Sequence, residues 1–245
     1  RWKGYLDIAG FLMRYDDMME FSFGFWDDTV IVSVDENGDI QTKGLGFKSL
    51  NVGPTQISGM EVSLAGSGNI TKDLQINILC GYTYINPIPL YPDSIYEINT
   101  YYSAGTTYTY EHTYDTSSFD ASVLKYRHQH IAKFDLEILY KQVSLGTSIR
   151  YNDFMKNIDK IFTEAFIATV IPGINESRGD NPETNDVIET HNKGDIIIDM
   201  RAGFKLNKNL RLGIIINNLM NAEYTSRPGD MKSPRTMAVQ CSYKL

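Results

Sequence analysis

The sequence predicts an all-β protein, an antiparallel transmembrane β-barrel, on three observations. Long segments alternate apolar and polar residues, the period of a strand whose successive side chains point to opposite faces. The polar side carries charge in mid-strand, at Glu61, Lys133, Asp135, Glu137, Asp199 and Arg201, where a solvated sheet face or a water-filled lumen could hold it. Connections alternate between tight turns and long loops, as in outer-membrane barrels, where turns lie at one end and loops at the other. Soluble sandwiches also contain hairpins, but their strands usually run about 5–6 residues and their loops rarely sort by end.

Eight long strands are expected, at about 2–20, 55–70, 74–85, 126–140, 143–154, 195–206, 210–222 and 235–245. In the third, Leu74, Ile76, Ile78, Cys80, Tyr82 and Tyr84 oppose Gln75, Asn77, Leu79, Gly81 and Thr83. The fifth sets Val143, Leu145, Thr147, Ile149 and Tyr151 against Ser144, Gly146, Ser148, Arg150 and Asn152. In the sixth, Ile196, Ile198, Met200, Ala202, Phe204 and Leu206 oppose Asp195, Ile197, Asp199, Arg201, Gly203 and Lys205. The seventh sets Leu210, Leu212, Ile214 and Ile216 against Arg211, Gly213, Ile215 and Asn217. The eighth sets Met237, Val239, Cys241, Tyr243 and Leu245 against Thr236, Ala238, Gln240, Ser242 and Lys244.

Residues 71–73, 141–142 and 207–209 are read as tight turns, whereas 21–54, 86–125 and 155–194 each exceed 30 residues. Strands four, six and eight then run from the long-loop end to the short-turn end. The last strand therefore finishes on the short-turn side, which is periplasmic in a bacterial barrel. One segment breaks the period. In 154–171 the apolar residues fall at Phe154, Ile158, Ile161, Phe162, Ala165 and Phe166, a helical spacing, with Asn157 or Asp159 as its cap and Pro172-Gly173 as its stop.

Composition narrows the classes. The chain has 245 residues, 42% hydrophobic and 22% charged, values of a folded protein rather than a disordered one. A net charge of −7 argues against nucleic acid as a partner. No apolar run approaches the ~20 residues of a spanning helix, which leaves strands as the only way across a membrane. Tyr (16) outnumbers Phe (11), as suits rings that sit half-buried at membrane–water boundaries. The chain opens at Arg1 with no secretory signal, so a mature protein or a piece of a longer one is expected.

The stretch Asn217-Asn218-Leu219-Met220-Asn221-Ala222-Glu223-Tyr224, then 226–230, Pro234-Arg235 and a final alternating strand, resembles the C-terminal end of TonB-dependent outer-membrane receptors. The likeness is greatest to their Bacteroidota branch. Gly4–Phe11, Arg14–Met18 and Gly59–Val62 also resemble barrel strands of that family. The resemblance implies a 22-stranded barrel around an N-terminal plug, with residues 1–245 as the C-terminal part of the barrel domain and the plug outside this chain. It further implies active import of a scarce nutrient, with a ferric chelate the most frequent cargo and cobalamin, haem, glycan or peptide the others. The partners implied are outer-membrane lipid, the rest of the receptor including its plug, the TonB complex reached through the missing N-terminal part, and a surface lipoprotein. The terminal Leu245 departs from the aromatic residue with which such barrels usually end.

Two sets of site residues follow. Arg150, Asp199, Arg201 and Arg211 are expected to face the lumen, either exposed to cargo or paired across strands. Tyr101, Tyr102, Tyr108, Tyr110 and His112 fall in a Tyr-rich stretch, 91–114. It either stacks on a flat ligand or sugar, or forms a self-packed strand pair above the membrane. The acidic run at 172–194 reads as a solvated loop. No convergence marks His128, His130, His112 and His191 as a metal site, and Cys80 and Cys241 read as lipid-facing hydrophobes on non-adjacent strands. No catalytic, metal or cofactor constellation is expected, since Gly-x-Ser-x-Gly, HExxH, P-loop and dinucleotide motifs do not occur. Two other readings share the pattern: a soluble secreted β-protein binding glycans through its Tyr-rich loops, and a complete small structural or adhesive barrel.

Overall fold

The computed structural model describes residues 2–26, 31–34, 40–43, 45–103, 106–160, 194–226 and 230–244. The main sheet is built from β1 (Trp2–Tyr15), β6 (Thr55–Asn69), β7 (Leu74–Pro89), β10 (His130–Tyr140), β11 (Val143–Asn152), β12 (Asp195–Lys205), β13 (Leu210–Asn217) and β14 (Thr236–Tyr243). They pair antiparallel in the order β1-β6-β7-β10-β11-β12-β13-β14, so neighbours in the sheet are the successive long strands of the sequence. The sheet is open, with β1 and β14 as its edges.

Register sorts the two faces. Asn77 pairs with Glu137, Asp135 with Ser148, Ser148 with Asp199, Gly146 with Arg201 and Lys205 with Arg211, so polar residues share one face from β7 to β13. The other face holds Leu6, Ile8, Leu64, Ile78, Ile149, Ile198, Ile214 and Val239. Burial runs opposite to that of a soluble sheet. Leu12 is 69%, Ile214 52% and Val239 80% exposed, whereas Ile197 on the polar face is 1% exposed. Trp2, Tyr140, Phe204 and Tyr243 end the apolar face at the short-turn side and Tyr82, Tyr84 and Tyr151 at the other, as aromatic girdles bracket a lipid-facing band.

Several predicted boundaries shift, and the strand expected to end at 85 runs on to Pro89. The strand expected to reach residue 20 bends at 16–18. The strand expected from 126 begins at His130, because Tyr126 takes a positive φ of 58°. The strand expected to reach 222 stops at Asn217, because Asn218 and Asn221 both adopt φ near 50°. The tight turns hold. Thr71 Oγ1 accepts from the backbone N–H of Leu74 at 3.1 Å, and Lys141 (φ 51°) supplies the left-handed residue of a two-residue hairpin.

The long connections carry strand pairs of their own, of which the sequence offered only the one within 91–114, as one of two readings. β2 (Met19–Phe25) pairs with β5 (Leu45–Asn51), β3 (Ile31–Val34) with β4 (Ile40–Lys43), and β8 (Ile95–Ser103) with β9 (Thr106–Thr113). A four-residue helix, α1 (Tyr114–Ser117), follows β9. Of the helix expected over 154–171, only 154–160 lies within the described residues. Residues 154–159 are irregular, and Asp159 bridges to Ser118. Its remainder, and the acidic run at 172–193, lie outside the described residues.

Candidate functional site

The polar face of the sheet carries a series of hydrogen-bonded groups. Arg201 donates to both oxygens of Asp135, at 2.7 and 2.9 Å, and to Ser148 Oγ at 3.2 Å. Ser148 closes the triangle by a short hydrogen bond to Asp135. Arg150 donates to Asp199 Oδ2 at 3.0 Å, Arg211 to Ser144 Oγ at 3.0 Å, and Asn77 to Glu137 Oε2 at 3.1 Å. Two glycines make room for this. A Cβ on Gly146 would lie 2.7 Å from Arg201 Cζ, and one on Gly203 would lie 2.6 Å from Ser144 Oγ. The guanidinium of Arg201 thus lies over its bare cross-strand partner and reaches diagonally to Asp135. Of the four side chains expected on this face, Arg150, Asp199 and Arg201 are in ion pairs and Arg211 is held by a serine.

Asp199 also receives the backbone N–H of Asn218 at 2.8 Å. Asn218 in turn donates to the carbonyls of Ala222 and Ser233 and accepts from the Ala222 N–H. Asn221 accepts from the Arg235 N–H at 2.9 Å. The Asn-rich stretch after β13 is therefore a knot that ties the loop at 218–235 to the polar face. Its left-handed residues are Asn, which tolerates φ > 0 better than other side chains.

At the long-loop end a second polar system is fully buried. The Lys125 ammonium, 2% exposed, donates to Asp159 Oδ1 at 2.6 Å, to Ser117 Oγ at 2.8 Å and to Ser22 Oγ at 3.3 Å. Ser22 donates to Asp159 Oδ1 at 3.0 Å, and Tyr126 makes a short hydrogen bond to Asp159 Oδ2. Tyr114 donates to Glu20 Oε2 at 3.0 Å and accepts from the Lys125 N–H, while Arg127 donates to Glu20 Oε1 at 3.2 Å. Asn157 joins 153–160 to the second loop by accepting from the Asp120 N–H and donating to the Val123 carbonyl. Val52, Tyr114 and Leu124, backed by Met18, Ile57 and Tyr96, supply the apolar packing. Three long connections are thus fused into one platform above the strands.

Burial acts against both charges. It pushes the Glu20 carboxyl above its usual 4.5, against the pull of Arg127 and Tyr114, and it lowers the Lys125 ammonium against the pull of Asp159. A pH test follows from Glu20. Its folded pKa is raised, so its contribution is fully present below the unfolded value and is lost as pH rises through the folded value. Protease resistance of 118–127 is expected to rise as pH falls from 7 toward 5, and Glu20→Gln is expected to flatten that part of the profile.

Next to this platform, His112 stacks on Trp26 at 4.6 Å, with Tyr96 6.4 Å away. Lys48 pairs with Glu97 at 3.0 Å and lies 5.4 Å over the Trp26 ring. These contacts join the β2/β5 hairpin to β8/β9. Burial holds His112 below its ordinary pKa, with Glu97 opposing. The Tyr-rich stretch is a strand pair, with Tyr101 opposite Tyr108 and Asn99 opposite Tyr110. The side chains of Tyr101, Tyr102, Tyr108 and Tyr110 lie outside the described residues, as does His191. Among the described residues no group of three or more metal-ligating side chains converges. Sequence reasoning missed Glu20, Ser22, Lys125, Arg127 and the true role of Asp159. Ser22 meets Asp159 across 137 positions, and no local period reports such a contact. The one available signal was a lysine directly after Val123-Leu124.

An open antiparallel sheet with an exposed apolar face, a polar face of paired charges, aromatic ends and loops sorted by end defines a segment of an outer-membrane β-barrel. Residues 2–219 match the family model described as TonB dependent receptor-like, beta-barrel, and the chain belongs to that family. The match assigns no branch within it. No curated protein matches the chain. Among solved structures it is similar to the ferric-catecholate import receptor Fiu from E. coli K12 in its closed form (18% identity, TM-score 0.50, 98% of this chain and 25% of that one). It is also similar to the copper transporter OprC (13%, 0.53, 98% and 29%) and to the outer membrane transporter YddB from Escherichia coli (11%, 0.51, 99% and 30%). At these identities the likeness shows the fold. The chain spans between a quarter and a third of the length of those proteins. The membership sets aside the soluble glycan-binding reading, and the open sheet does not support a complete eight-stranded barrel.

Proposed function

We propose that this chain is the C-terminal part of the barrel of a TonB-dependent importer, with the plug and the TonB-contacting segment supplied elsewhere in the protein. One observation carries the reading: the apolar face of the sheet is exposed while the charges of the other face pair with one another, as suits lipid on one side and water on the other. Arg150, Asp199, Arg201 and Arg211 line the lumen in this reading, paired with one another's neighbours so that the wall is polar but locally neutral. The platform of Lys125, Asp159 and Glu20 holds the outer hairpins in place, and Tyr101, Tyr102, Tyr108, Tyr110 and His112 on β8/β9 meet the cargo. Import of a ferric chelate is supported by the likeness to Fiu, a ferric-catecholate import receptor, and copper by the likeness to OprC, a copper transporter. A surface lipoprotein partner fits the same outer hairpins.

Growth decides it. A deletion strain is expected to lose growth at limiting ferric chelate and to keep it on the same medium with excess iron salt. Wild-type growth on limiting ferric, cupric, cobalamin, haem and glycan sources alike would end the import reading.

A further inference from the structure

In the platform above the strands, we propose that the Lys125 ammonium and the Asp159 carboxylate condense to an intramolecular amide, a covalent staple between the second and third long connections. The two groups touch: Lys125 Nζ lies 2.6 Å from Asp159 Oδ1, across 34 positions of the chain. The carboxyl carbon is at most one C–O bond farther, near the ~3–3.5 Å separation from which bond formation proceeds. The two side chains are 2% and 1% exposed, and their sequence neighbours Leu124 and Ile158 are fully buried. The Tyr114 ring covers Lys125, its centroid 5.2 Å from Nζ. Bulk water, which would hold both groups hydrated and ionised, is thus kept out. The left-handed φ of 58° at Tyr126 turns the chain so that the lysine and the adjacent tyrosine both reach the same carboxylate.

The surrounding hydroxyls sit where the reaction needs them. One ammonium proton passes to Oδ1 along the 2.6 Å contact, giving a neutral amine and a carboxylic acid, the forms that burial favours. The nitrogen lone pair attacks the carboxyl carbon and the N–C bond forms. Tyr126 donates to Oδ2, the oxygen on which negative charge gathers. Ser22 Oγ accepts from Nζ at 3.3 Å and donates to Oδ1 at 3.0 Å, so it relays a second proton from the nitrogen to that oxygen. The C–Oδ1 bond breaks and Oδ1 leaves as water, carrying both protons. The third proton stays on the amide nitrogen, facing Ser117 Oγ, which accepts from Nζ at 2.8 Å. Atoms and charge balance with no activating group. Two buried ions become one neutral amide, which removes the desolvation cost that the ion pair carries and draws the condensation forward. The ionic contact is the form in which the platform first assembles, and the bond follows folding.

The test is a tryptic peptide map of the full-length protein, taken from the outer membrane and digested after denaturation, when an ion pair no longer holds peptides together. Trypsin does not cut after an acylated lysine. Wild-type protein is therefore expected to yield residues 73–127 joined to 157–160, lighter than the two peptides together by one water. Lys125→Arg keeps the charge but is not acylated in this way, and is expected to release 157–160 as a free peptide. Ser22→Ala removes the relay and is expected to slow the appearance of the joined peptide in pulse-labelled cells by roughly 100-fold or more. Separate peptides 73–125 and 157–160 from the wild type overturn the inference, and so does joining in Ser22→Ala at the wild-type rate. The wild-type map decides even where a variant does not fold. The bond needs no cargo, so the peptide map and the growth test fail separately.

Discussion

Ile214→Arg is expected to keep the protein from accumulating in folded form in the outer membrane, while Gln240→Arg is tolerated. Ile214 sits in the middle of β13, pairs with Ala202 and Val239, and turns to the exposed apolar face. Gln240 immediately follows Val239 and pairs with Gly213 on the opposite face. An arginine near the bilayer midplane of a barrel costs about 2–4 kcal/mol, because its hydration must be given up or carried into hydrocarbon. Against a total stability of roughly 5–15 kcal/mol that is a large fraction, and assembly intermediates have less to spare. On the polar face the same guanidinium keeps its water, so Gln240→Arg is expected to change stability by less than about 1 kcal/mol. Heat-modifiable gel mobility in membrane fractions and urea unfolding in vesicles measure both variants. Equal loss in the two would remove the assignment of the faces.

The two faces were legible because a strand has a period of two and its register cannot slip without exchanging them. Three of the main sheet's pairings, β6–β7, β10–β11 and β12–β13, follow from that period together with short turns that leave no choice of partner; the others span longer connections. Ile197 and Ile215 show the limit of pattern reading. Both are apolar residues on the polar face, and alternation alone does not explain why Ile197 is buried. The β2/β5 pairing was hidden for a different reason. Its strands of 7 residues each are far apart in sequence, and no local period reports which segments pair. Before Lys160, the helical spacing that follows Phe154 answers a different demand. Ile158 and Asn157 are buried by the loop at 118–126, which spaces them like a helix face without making one.

The platform is where the buried chemistry can be measured. Lys125→Met is expected to destabilise it by about 3–5 kcal/mol, the usual consequence of stranding one charge of a buried pair. Asp159 is 1% exposed and would keep only the hydroxyls of Ser22 and Tyr126 as donors. Burial opposes the charged form of Lys125 and Asp159 supports it, so the pair gives up hydration for the attraction it gains. Its role is to specify how three loops fit together, which an apolar contact of the same volume would do less selectively. The double variant Lys125→Met, Asp159→Leu is therefore expected to recover most of the loss, less about 1–3 kcal/mol for each buried hydroxyl left without a partner. Hydrogen exchange of the amides in 118–127 and 153–160 reads the effect locally, with β10 and β11 as internal references. A single variant that exchanges like wild type, or a double variant worse than the sum of its parts, would mean that the loops are held by Val52, Tyr114 and Leu124 and that the ions merely fill the space between them.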